Sequence, residues 1–355
     1  MQIKLGNKLI GDESPTFIIA EMAWSHDGSV EKAKDIIKGT ADAGADAISV
    51  HITSMANYMT KDYGRAAEHT ISAGKRKEDI YTYLDRLNLK KSDWQKLFSY
   101  AKSLGLAICA MPNDIQSLKL CRELDPDAYV IAAACFVEEN IVAEIAGQKK
   151  PVILRIGGAT LGEIEKVINL IREQGTEEII LLHGIQLYPT RVEDTQLKLI
   201  PSLKSIFRLP AGLADHMDGE TELAMIIPLV ALAFGANVIE KHITHNRELK
   251  GEDYISALNP AQFKKLVTNI REIEKSFGSP SFRALSAGEI RYRQVSRKRT
   301  VAARFIKQGK KITGDDIVFK RANEGIYPDE GKFIIGRTAG RDIKEDDPIT
   351  WDTVL

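Results

Sequence analysis

The chain has 355 residues, is 44% hydrophobic and 7% aromatic, and carries 49 Lys and Arg against 49 Asp and Glu. That length and composition suit a soluble globular protein large enough to bury a core without disulfide staples. A formal charge of zero excludes the global field that draws nucleic acid or an anionic membrane, so any charged ligand must be recognised locally.

The opening stretch MQIKLGNKLIGDESP lacks the apolar core of a secretory signal, and no apolar run is long enough to span a bilayer. Three cysteines, Cys109, Cys121 and Cys135, have no metal-ligand spacing, and an odd count fits a reducing compartment. The expected location is the cytoplasm.

In chain order, IKLGNKLIGD alternates around Gly6-Asn7 and predicts a short hairpin. Eight apolar, β-rich runs follow: Thr16–Met22, Asp46–Ile52, Leu106–Ala110, Asp127–Ala133, Pro151–Arg155, Glu178–Gly184, Ala211–Asp215 and Ala236–His242. Segments of helical period separate them, such as LGEIEKVINLIREQG and NPAQFKKLVTNIREIEKSFG. Parallel strands need crossover helices, and eight such units close a (β/α)₈ TIM barrel. A doubly wound open sheet is the alternative, weakened because no Gly-x-Gly-x-x-Gly follows the first strand. The rhythm stops near Gly278. Residues 1–280 are assigned to the barrel, 281–294 to a linker, and 295–355 to a small β-rich domain of short runs split by turns.

Barrel chemistry sits at the C-terminal ends of the strands. The polar residues there include Glu21, His51, Arg155, Gln186 and Tyr188 after the sixth strand, Asp215-His216 and Glu240-Lys241-His242. Of seven histidines, His26, His51, His183, His216 and His242 lie at or just after strand ends, with His245 close behind and His69 apart. One such histidine is most often satisfied by a backbone carbonyl. Several at one barrel mouth point instead to a divalent metal, with coordination positions left for substrate. Glu21 is read either as a general acid or base or as a carboxylate satisfied by a neighbouring lysine. Cys135 is read as a buried structural thiol.

FIIAEMAWSHDGSVEKAKDIIKGTADAGADAI, LLHGIQLYPTRVEDTQLKLI, LPAGLADHMDGE and GANVIEKHITHNRELKGEDY resemble successive blocks of the sialic acid synthase family. SRKRTVAARFIKQGKKITGDDIVFKRANEGI resembles that family's C-terminal antifreeze-like (SAF) domain. The resemblance implies metal-dependent condensation of phosphoenolpyruvate with an open-chain N-acetylated amino sugar, giving a nonulosonic acid and phosphate. It implies manganese or magnesium on His216 and His242 and catalytic Glu21, Tyr188 and Asp253; His51 and Gln186, as polar residues at the mouth, are expected substrate contacts. It also implies a domain-swapped homodimer in which Arg321 of the small domain serves the partner's barrel.

The chain departs from the family pattern on the phosphate side. Ser49-Val50-His51 stands where the family has Val-Lys-Phe-Gln, and Ala132-Ala133-Ala134-Cys135 where it has Gly-Ser-Gly and an acid. Arg155-Ile156-Gly157 replaces Ser-Thr-Gly, and Ala214 precedes Asp215-His216 in place of serine. Arg155, aided by backbone N–H groups near Gly157-Gly158, is the expected anion anchor. The alternative is an Arg paired with a neighbouring Asp or Glu. These losses keep a second function open, a divergent enzyme with another donor or a lyase-type reaction. A catalytically silent sugar binder is the third reading, disfavoured because a pure binder gains nothing from an open metal position.

Overall fold

The computed structural model describes residues 1–63, 79–279 and 281–355; His69 lies outside the described residues. The chain divides into two compact units, Met1–Phe277 and Gly278–Leu355.

In the first unit, β1 (Ile3–Leu5) and β2 (Lys8–Ile10) form the expected hairpin around Gly6-Asn7. Gly6 has φ +56°, a conformation that suits glycine in a two-residue turn. Eight parallel strands follow: β3 (Phe17–Glu21), β4 (Ala47–Ile52), β5 (Ala107–Pro112), β6 (Ala128–Ala132), β7 (Val152–Arg155), β8 (Ile179–His183), β9 (Ala211–Asp215) and β10 (Val238–His242). They close into a barrel, with β10 pairing with both β9 and β3. This is the (β/α)₈ architecture, and the open sheet is excluded. The strand ends fall within two residues of the expected bounds.

Side chains alternate between the lumen and the helix layer. Phe17, Ile19, Val130, Ile153, Ile180, Leu182 and Val238 form an apolar cluster with Ile3, Leu5 and Ile10 of the hairpin, so the N-terminal end of the lumen is packed shut. A larger cluster, including Ile18, Ile48, Leu154 and Leu213, joins the strands to the surrounding helices. Helix Val30–Ala43 starts at Ser29, whose side chain accepts from Lys32 N–H, and stops at Gly44 with φ +79°.

In the second unit, β11 (Lys298–Ala302) pairs antiparallel with β12 (Ile317–Arg321) over a small core that includes Ile306, Ile312, Ile334 and Ile349. Much of the stretch read as linker is helix, Ala287–Ser296, which runs two residues into the assigned small domain. Ser286 and Glu289 form a capping box at its start, which composition alone did not reveal. No residue of this helix is buried. Among the described residues no helix is long and apolar enough to cross a membrane. All three cysteines are free and buried, and burial raises the Cys135 thiol to about 11, as suits a structural thiol.

Candidate active site

The lumen rows of β3, β4, β7 and β10 end in polar groups at the C-terminal mouth. In β3 the inward residues are Phe17, Ile19 and then Glu21; in β10 they are Val238, Glu240 and His242. Glu21 and Glu240 are both buried. Between them lies Arg155, the last residue of β7, also buried.

The Arg155 guanidinium bonds to Glu21 Oε2 and approaches Glu240 Oε2 at 2.8 Å. Its Nη1 lies 3.4 Å from His51 Nε2, and its Nη2 3.5 Å from Ser49 Oγ. Glu21 Oε1 accepts the Ala23 N–H at 2.8 Å and lies 3.4 Å from His51 Nε2. So the carboxylate-paired reading of Arg155 is the one the structure displays, inside the lumen rather than at its rim. The helix Leu161–Glu173 has its N-terminus capped by Thr160 and Glu163. A Cβ at Gly157 would lie 1.9 Å from the Gly184 carbonyl oxygen, so only glycine fits there.

A second group gathers on β8, β9 and β10. The rings of His216 and His242 are 5.2 Å apart, and Tyr188 meets them edge-on at 4.6 and 5.6 Å. Tyr188 OH donates to Gln186 Oε1 at 3.0 Å. His216 Nδ1 sits 2.9 Å from the Ile185 carbonyl, which can only accept, so the proton is on Nδ1 and the Nε2 lone pair is free. That Nε2 and both ring nitrogens of His242 are buried without a partner. Burial, then the nearby Arg155 and Lys241 charges, hold His216 down at about 3, and burial keeps His242 well below its ordinary value. Burial brings His51 to about 3 as well. The three imidazoles are therefore neutral at pH 7, the form that offers a lone pair. Burial, then the Asp253 carboxylate, push the Tyr188 phenol up. Asp253 is half-buried with φ +60°.

Leaving buried ring nitrogens unpaired costs about 1–3 kcal/mol each, and a divalent cation would accept one lone pair from each of the two rings. Among the described residues no group of three His, Cys, Asp or Glu is arranged to hold a metal. A cation on His216 and His242 would thus keep most positions for oxygen ligands.

Three of the expected histidines converge, and the others do not. His183 points away from the lumen and bonds to the Thr195 carbonyl at 2.8 Å, because its neighbours Leu182 and Gly184 take the inward parity. His26 packs edge-on against Trp94, 5.8 Å between ring centres, with burial lowering it to about 4. His245 feels Lys32 and Asp27 instead of the lumen groups. Glu240, read from sequence only as part of the Glu240-Lys241-His242 strand end, lies two residues before His242 and so shares its parity. Arg321 ends β12 in the second unit and is exposed.

The NeuB family model matches residues 36–281 and the SAF domain model residues 300–355. An uncharacterised protein of Methanocaldococcus jannaschii is 34% identical over 100% of this chain and 99% of its own. The N,N'-diacetyllegionaminic acid synthase of Campylobacter jejuni is 31% identical, covering 94% and 98% respectively. Among solved structures, the N-acetylneuraminic acid (sialic acid) synthetase of Leptospira borgpetersenii, in complex with citrate, aligns with a TM-score of 0.71 at 29% identity. That alignment covers 82% of this chain and 96% of that one. The polar mouth described above thus belongs to an enzyme of the NeuB type, and the chain is a member of the NeuB family with a C-terminal SAF domain.

Proposed function

We propose that this chain condenses phosphoenolpyruvate with an open-chain N-acetylated amino sugar, consuming one water and giving a nonulosonic acid and inorganic phosphate. A divalent cation, manganese or magnesium, held by His216 and His242 is part of the reading. The observation that carries it is the set of unpartnered, buried imidazole nitrogens on β9 and β10, facing Tyr188 and the Glu21–Arg155–Glu240 cluster. The cation would supply Lewis-acid polarisation of the sugar aldehyde.

The chain's own residues supply the rest. Glu21 is held in one orientation by Arg155 and the Ala23 N–H, which suits a carboxylate that passes a proton at the mouth. Tyr188, Gln186 and Asp253 lie on the side of the histidine pair and offer hydroxyl, amide and carboxylate partners to sugar oxygens. Arg155 keeps its Nε–H without a partner for a substrate oxygen, while its other donors face Glu21, Glu240 and His51. Arg321, with several fixed donors, is assigned to sugar oxygens or a carboxylate in a partner's barrel. A monomer in light scattering would overturn that last assignment. The free, buried cysteines accord with the reducing cytoplasm.

One observation favours the second reading. With Arg155 engaged by two carboxylates, the expected grip on a phosphate is weakened, and a less charged donor would meet less competition. The test supplies phosphoenolpyruvate, MnCl₂ and a panel of acetamido sugars, and follows phosphate release and product mass. Phosphate formed mole for mole with a new acid confirms the proposal. No phosphate with any sugar, but turnover with another oxo-acid donor, would select the divergent reading.

A further inference from the structure

Behind the two histidines, on the far side of the sheet, lies a buried ion pair. Lys241 and Asp215 have side chains 0% and 2% exposed, with Nζ 2.7 Å from Oδ2. Their parity turns them toward the helix layer, away from the lumen. They are direct partners in the β9–β10 register, and the residues that follow them are His216 and His242.

The pair does more than join two strands. Lys241 Nζ also donates to the Met217 carbonyl at 2.9 Å, and Asp215 Oδ1 accepts the Met217 N–H at 3.2 Å. So the backbone on both sides of His216 is fastened to Lys241, the residue next to His242. A buried ion pair is a poor way to gain stability, because desolvating two charges offsets their attraction. Packed hydrocarbons of similar volume often hold such a place as well or better. Hydrocarbons cannot, however, fix backbone direction at the residue before and the residue after a ligand. The lever is greater for His242. Both backbones are held, His216 by Ser256 and Thr190 and His242 by the Leu258 N–H at 2.9 Å, but the His216 ring is also held by the Ile185 carbonyl while the His242 ring has no partner of its own.

We propose that Asp215 and Lys241 are positioning residues that set the separation at which His216 and His242 share one divalent cation. The inference rests on the metal reading above, and it assigns the buried pair to that site rather than to folding. Outer-shell partners of metal ligands change affinity by about 10–100-fold when removed.

The experiment measures Mn²⁺ affinity by calorimetry, with the thermal midpoint of the metal-free protein recorded beside it. The double variant Asp215→Leu/Lys241→Met removes the pair without stranding a charge. It should keep a midpoint within a few degrees of wild type and bind Mn²⁺ about 10–100-fold more weakly. Lys241→Arg, which can remake the pair, should recover most of the affinity. If the double variant does not fold, Asp215→Asn takes its place, with a loss of about tenfold expected. Affinity within about twofold of wild type, in whichever of the two variants folds, overturns the inference alone. Wild type that binds no Mn²⁺ overturns the metal reading and the inference with it.

Discussion

The two ends of the barrel lumen are built from the same rows of residues and do opposite things. β3 runs Phe17, Ile19, Glu21 and β10 runs Val238, Glu240, His242, so about 7 Å of strand separates packed hydrocarbon from buried charge. The closed end is filled by aliphatic side chains and capped by Ile3, Leu5 and Ile10. The open end holds two carboxylates, one guanidinium and three neutral imidazoles, most of them buried. The comparison teaches that the apolar layer is the footing of the site. Close packing beneath Glu21, Arg155 and Glu240 leaves their side chains little freedom, and such preorganisation is what catalytic groups require.

The largest expected difference between the ends comes from Arg155→Ala. It strands Glu21 and Glu240 in the lumen without their shared counter-ion, and breaking a buried pair in this way costs about 3–5 kcal/mol. Urea denaturation should show that loss together with loss of phosphate release. A loss of less than 1 kcal/mol would mean that the cluster is not held as described. At the closed end, Ile180→Ala should cost about 2–5 kcal/mol through the cavity it opens. Mn²⁺ affinity should stay within about twofold of wild type, since no group of the mouth is touched. A large fall in metal affinity in that variant would erase the division between the two ends.

The effect that builds up most gradually is in acid. His26 has its folded pKa depressed to about 4 from 6.5, so the unfolded chain binds more protons between those values. Stability is therefore fully present above about pH 6.5 and falls as pH drops toward 4, by about 1.4 kcal/mol per pH unit for one histidine. His51 and His216, both at about 3, add slope of the same sign. The closed end adds none, because its lumen holds hydrocarbons and Cys109, whose thiol burial raises. His26→Gln should reduce the slope between pH 4 and 6.5 by about 1.4 kcal/mol per pH unit, leaving the share of His51 and His216, while Ile180→Ala lowers the profile without changing its slope. An unchanged slope in His26→Gln would place the acid sensitivity elsewhere.

Much of this was legible in the amino-acid order. Parallel strands buried on both faces read as continuous apolar runs such as FIIA and AISV, so their number and order were plain. The period of two also told which residues share the lumen, and it would have separated His216 and His242 from His183 and drawn in Glu240. What sequence could not show is which residues meet across the barrel. Arg155 is 134 positions from Glu21, and nothing local marks either as the partner of the other. The helix Ala287–Ser296 was hidden for a different reason. Its signature is one Ser286–Glu289 capping box, and its sequence lacks the apolar stripe by which other helices are recognised.

The central claim is that the open end holds one divalent cation between β9 and β10. Calorimetric titration of Mn²⁺ into wild type, His216→Ala and His242→Ala tests it most directly. The account predicts one site in wild type and a loss in each variant that exceeds the about 10–100-fold expected of an outer-shell change, with the barrel still folded by circular dichroism. Wild-type affinity in both variants would contradict it.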